Sequence, residues 1–198
     1  MTIDADELSA APSSDRGPWD TSWLDKLATA QYRVVFNASE IADGAAMYYA
    51  TAFLDDFRAA HGTTDTNTRP VIVFRRLGTV MAFNDTMWDR YRIEAKADGS
   101  ATQTSPHRNN YWKAQPGASP ESAAAKLEPL TARGLISLVC NIATNNVGRS
   151  LAEKHHLDVE TVRNDLKANL IPGAVLVPSG IYALIRAQNA GCAYMQGT

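Results

Sequence analysis

The hydrophobic positions of this chain fall into short runs separated by segments of helical period. "YRVVFNAS" (32–39) is β-branched and aromatic, which predicts a strand. "VIVFRR" (71–76), "LISLVCN" (135–141), "AVLVPSG" (174–180) and "CAYMQ" (192–196) predict four more. Between the first two, Ala46, Tyr49, Ala50, Phe53, Leu54 and Phe57 recur at helical spacing, and Gly62 stops the repeat. "NDTMWDRYRI" predicts a short helix capped by Asn84 or Asp85. Ser119-Pro120-Glu121 reads as an N-cap, a proline in the first turn and an acid, so a helix is expected from there to about Gly134. Further helices are expected from about Thr144 to His156, from Val159 to Leu170 behind an Asp158 cap, and over "IYALIRAQNAG".

Strands alternating with helices imply parallel βαβ units and a three-layer α/β/α sandwich with about five mainly parallel strands. Near-continuous apolar strands fit a sheet buried on both faces. Residues 1–25 read as an N-terminal arm, flexible or interfacial, with Trp19 and Trp23 available to pin its end. Residues 26–198 read as one domain carrying a long polar insertion at 94–120.

Ligands in open α/β sheets bind beyond the carboxyl ends of the strands. That rule selects Ser39 and Glu40, Arg75 and Arg76, Cys140 and Asn141, and Pro178, Ser179 and Gly180. Cys140 is thereby placed on the rim of the sheet. A helix N-terminus behind it would stabilise a thiolate and make a nucleophile. The alternative is a small buried hydrophobe, since free cysteine is commonly buried. The stretch "NIATNN" between Cys140 and the expected helix reads as a turn, or as a set of amides for an anion. Cys192 reads as core filling, and as a resolving thiol only if the fold brings it to Cys140. Of Arg75 and Arg76, one is expected to reach the rim for an anionic ligand. Its competing role is an ion pair with Asp85 or Glu40. Ser179 and Gly180 offer amides to an anion or simply cap a helix. His155-His156 closes a helix, where a cation is favourable without any metal.

Composition narrows the classes. The chain has 198 residues and a formal net charge of −2, so no basic field collects nucleic acid. No apolar run approaches a membrane span of roughly 20 residues. The acidic, polar N-terminus has no secretory pattern, so a cytoplasmic location is expected. Two cysteines make neither a disulfide framework nor a zinc motif. There is no Gly-rich phosphate loop and no G-x-S-x-G, so no cofactor and no metal are expected.

"LVCNIATNNVGRSLAEKHHLDVETVRNDLKANLIPGAVLVPSGIYALIRAQNAGCAYM" resembles the C-terminal half of DsrE-like proteins of the DsrE/DsrF superfamily. The likeness lies in a strand ending Cys-Asn, a helix pair, "PG", a strand ending "VPSG", and "AQ" followed by "G-C-A-Y". Upstream, "PVIVFRRLGTVMAFNDTMWDRYRI" and "RNNYW" resemble a longer subgroup whose members often carry twin-arginine signals. Asn110 stands where that subgroup usually has proline, and the signal is absent here. The resemblance implies a flavodoxin-like domain assembled as a trimer or hexamer. It also implies sulfur relay through a persulfide on a cysteine, for which Cys140 holds the comparable position, with a sulfur donor or acceptor protein as partner.

Three functions are weighed. The first is a sulfurtransferase-like carrier acting through Cys140, with Asn141 and the helix end holding the anion. The second is a non-catalytic small-molecule module, its pocket lined by Arg75, Asn84, Asp85, Trp88, Asn109, Trp112, Cys140 and Ser179 under the long loop. The third is an oligomeric partner of another protein, with the arm and the loop as interface. The carrier leads, because position and resemblance agree on the same residue.

Overall fold

The structure is a computed structural model that describes residues 18–94, 96–97, 101–102 and 107–198. The arm before residue 18 and much of the tip of the 94–120 insertion lie outside the described residues.

Five strands form one sheet: β1 (Tyr32–Ala38), β2 (Thr68–Phe74), β3 (Ile136–Cys140), β4 (Val175–Val177) and β5 (Ala193–Gln196). Their order is β4-β3-β2-β1-β5. Every neighbouring pair is parallel. Helices cover both faces, so the architecture is the expected flavodoxin-like α/β/α sandwich.

Alternation along the strands divides the core in two. Val34, Phe36, Ala38, Ile72, Phe74 and Val139 point to one face. There they meet α2 (Ala45–His61), α3 (Asp85–Arg90), α5 (Leu127–Ala132), α6 (Asn141–His155) and α7 (Val159–Ala168). Val35, Val71, Val73, Ile136, Leu138 and Val177 point to the other, covered by α1 (Trp23–Ala28) and α8 (Gly180–Asn189). Trp23, within the 1–25 stretch read as an arm, is fully buried there.

Several elements differ from the reading of the sequence, each for a physical reason. The helix expected from Ser119 to Gly134 is broken into α4 (Pro120–Ala124) and α5. Pro129 has no N–H and its ring would strike the carbonyl of residue 125, and the chain leaves the helical region at Ala125 and Lys126. The buried face of α2 runs through Ala46, Met47, Ala50 and Leu54, with Tyr49 turned outward at 41 % exposure. A 3₁₀ helix, Arg76–Ala82, follows β2 where no element was expected. Most important, α6 begins at Asn141, so "NIATNN" is its first turns and not a loop.

Candidate functional site

The strand order locates a site that sequence patterning could not. The connection after β3 is α6, on one face of the sheet, and the connection after β4 is α8, on the other. β3 and β4 are neighbours. Their following helices therefore diverge and leave a crevice beyond their carboxyl ends, the topological switch point where α/β sheets bind ligands. A groove of about 630 Å³ lies there. It is walled by Arg75, Arg76 and Leu77 after β2, by Cys140, by Ile142, Ala143, Asn146, Val147, Ser150 and Leu151 of α6, and by Ser179, Gly180 and Ile181 of α8.

Cys140 is both the last residue of β3 and the N-cap of α6. Its Sγ accepts the Ala143 N–H at 3.3 Å, and Thr144 Oγ1 donates to its carbonyl at 3.0 Å. A 15-residue helix thus starts on the sulfur itself, with the first amides of the helix beside the groove. Cys140 is 5 % exposed, a residue of the groove wall and not of the surface. α8 opens on the same groove in the same way, with Ser179 Oγ accepting the Tyr182 N–H at 3.0 Å.

Two glycines set these distances. A Cβ on Gly180 would lie 2.9 Å from Arg75 Cβ, so only glycine lets the arginine stem rest on the start of α8. A Cβ on Gly78 would lie 2.3 Å from the Ala38 carbonyl oxygen, so glycine seats the 3₁₀ helix on the end of β1. That helix carries Leu77 into the groove. The two arginines divide the roles foreseen for them. Arg76 pairs with Glu40 at 3.5 Å, whereas Arg75 has no acidic partner among the described residues.

The remaining residues foreseen for a pocket do not line this groove; most are drawn into bonds of the core and of its junction with the insertion. Asn109 is 3 % exposed; its amide donates to the Met81 and Phe83 carbonyls at 2.7 Å each and accepts the Tyr111 N–H at 3.0 Å. Asp85 accepts the Asn109 N–H at 2.9 Å. Asn84 caps α3 through Met87 N–H and meets Asn169. Trp88 is fully buried and its Nε1 donates to the Val80 carbonyl at 3.0 Å. Trp112 packs half-buried on the same core. Asn141 opens α6 beside the groove without lining it. Sequence reading missed the apolar wall of Leu77, Ile142, Val147, Leu151 and Ile181; exposure of Leu77, Ile142 and Ile181 is the signal, and it is visible only in the fold.

Cys192 stands apart. By strand register it lies level with Arg33, while Cys140 lies six positions further along the strand direction. That offset is roughly 20 Å, with two intervening strands in addition. Burial pushes the Cys192 thiol up to about 11. It is a core residue and does not meet Cys140. A broader depression of about 830 Å³ over Arg90, Tyr91 and Asp165 is occupied by its own bonds. One carboxylate oxygen of Asp165 takes both Arg90 Nη1 and Tyr91 Oη at 2.6 Å. Burial, then the Asp165 hydrogen bond, push the Tyr91 hydroxyl up to about 12. His155 is used in the same seam, 2.8 Å from the Tyr91 carbonyl oxygen.

Among the described residues no three His, Cys, Asp or Glu side chains converge to hold a metal ion. No described helix is long and apolar enough to cross a membrane. No protein-family model matches the chain, and neither a curated protein nor a solved structure matches it.

Proposed function

We propose that the protein is a DsrE-like sulfur carrier, with Cys140 as the atom that holds the sulfur. The observation that carries this reading is the place of the Cys140 sulfur: at the switch-point groove, on the N-terminus of α6, with a backbone N–H 3.3 Å away. In the forward step Cys140–SH and a donor R–S–SH give Cys140–S–SH and R–SH. The Cys140 thiolate attacks the outer sulfur of the donor, one S–S bond forms as another breaks, and the departing thiolate takes the proton. No net oxidation occurs, so no further reagent is needed. The amides at the start of α6 receive the terminal sulfur's negative charge. An acceptor thiolate then removes that sulfur by the same attack. Cys140 is 5 % exposed, so the reacting end of donor or acceptor enters the groove as a small molecule or the tip of an extended chain.

Both cysteines are free, which suits the cytoplasmic location expected from the N-terminal sequence. The trimer or hexamer implied by the resemblance gives Ile181 and Ile185 of α8, 63 % and 52 % exposed, an apolar partner surface. A non-catalytic binding module is the second reading, favoured by the low exposure of Cys140 and the apolar groove wall. Exposure to thiosulfate or polysulfide, followed by peptide mass analysis, separates the two. The carrier gains the mass of sulfur on the Cys140 peptide and loses that label in Cys140→Ser. A Cys140→Ser protein that labels as well as wild type removes the carrier reading.

A further inference from the structure

We infer that the groove takes an amphiphilic anion, its oxyanion head on Arg75 and its apolar chain along α6. This rests on the groove being the working site, and names the class of molecule that occupies it. Arg75 leaves β2 in extended conformation (φ −143°, ψ 167°), and its N–H is fixed to the Ala38 carbonyl at 3.1 Å. Arg75 lines the groove, partly buried, and no carboxylate among the described residues pairs with its guanidinium. A partly buried charge left unpaired is costly.

The setting makes the cost larger. The Arg75 stem lies on Gly180, the first residue of α8, where an added Cβ would be 2.8 Å from Arg75 Cδ. A cation is thus held at the positive end of a helix, the reverse of the stable arrangement. The start of α6 faces the same groove. In each helix the capping side chain serves the third amide, Ala143 or Tyr182. Among the groove-lining residues, the amides of Ile142, Gly180 and Ile181 have no acceptor within their helices. An unpaired arginine and two helix N-termini on one groove are mutually repulsive until an anion enters between them.

A bare inorganic anion leaves the rest of the groove unfilled. Leu77 and Ile142 stand 61 % and 56 % exposed at its mouth. Leu77, Val147 and Leu151 also wall a second depression of about 340 Å³ whose floor reaches Ile41, Val80 and Ile93 and which Arg92, Glu94 and Lys154 also line. The apolar track therefore continues beyond the head position, and suits an alkyl chain carrying a carboxylate, sulfonate or phosphate.

The test is calorimetric titration of sodium octanesulfonate into Cys140→Ser protein, which binds without sulfur chemistry. Saturable binding of one molecule per chain is expected. Arg75→Met keeps the stem on Gly180 and removes the charge, and should weaken binding about tenfold or more. Arg149→Met, a surface charge outside the groove, should leave it within about twofold. Leu77→Asp, at an exposed site that tolerates substitution, should also weaken it about tenfold by placing like charge on the wall. Sodium sulfate and octanol should each bind about tenfold more weakly than octanesulfonate. Absent binding, equal binding by octanol, or unchanged binding in both Arg75→Met and Leu77→Asp overturns the inference. Octanesulfonate binding without any persulfide on Cys140 upholds this site and removes the carrier reading; labelling without binding does the reverse.

Discussion

Removal of the Asn109 side chain tests whether the insertion is clasped to the body or held free to cover a ligand. In Asn109→Ala the Met81 and Phe83 carbonyls lose donors at 2.7 Å, and the Tyr111 N–H loses its acceptor at 3.0 Å. The site is almost wholly buried, so water does not replace them freely. Three hydrogen bonds at about 1 kcal/mol each give a loss of about 3 kcal/mol. For a chain of 198 residues that is a fall in Tm of about 6–12 °C. Urea denaturation followed by circular dichroism measures the free energy, and differential scanning calorimetry the Tm. Asn109→Asp should cost at least as much, because it sets a carboxylate against two carbonyls. Sulfur labelling of Cys140, measured on the folded variant, should be unchanged, since Asn109 does not line the groove. A loss under about 1 kcal/mol, or labelling that falls while the fold persists, refutes the assignment of Asn109 to the clasp.

Cys140→Ser should leave stability within about 1 kcal/mol of wild type, because serine caps a helix as well as the sulfur does; Cys140→Val should cost about 1–2 kcal/mol more by orphaning the Ala143 N–H, both read by urea denaturation. Gly78→Ala drives a methyl onto the Ala38 carbonyl oxygen, a backbone atom, and should destabilise by about 1–3 kcal/mol and slow alkylation of Cys140 by displacing the Leu77 wall. Stability should fall as pH rises through the alkaline range. Burial holds Cys192 at about 11 against an ordinary 9.0, and holds Tyr91 and Tyr111 at about 12 against 10.0. Between those limits the unfolded chain has released protons that the folded one keeps, so the stability present below pH 9 declines from there to about 12. A thermal melt series over that range that stays flat contradicts the burial assigned to all three.

The strands were legible because β-branched and aromatic runs have few other homes, and Val71–Phe74 and Ile136–Val139 fall where their composition puts them. Helix faces were legible to within one position: packing onto the sheet rotated α2 so that Met47 is buried and Tyr49 is not. "NIATNN" was misleading because asparagine ordinarily marks turns, whereas here Cys140 and Thr144 close the first turn of α6 and draw those residues into it. The site was half legible. Alternation placed Cys140, Arg75, Ser179 and Gly180 on the carboxyl rim, and the fold assembles all four in one groove. What selects β3 and β4 from the whole rim is strand order, a long-range property with no local sequence signal. The polar and aromatic residues of α3 and of the insertion looked like a ligand pocket for a related reason. Asn109 and Trp88 carry the groups that recognise ligands, and here those groups bond to the backbone of their own chain.

One sulfur atom, that of Cys140, decides the function, and its reactivity can be read directly. Native protein is exposed to a sulfane donor at neutral pH, digested, and the two cysteine peptides are weighed. Sulfur added to the Cys140 peptide and none to the Cys192 peptide is the predicted result. Equal labelling of both thiols, or an unmodified Cys140 in folded protein, contradicts it.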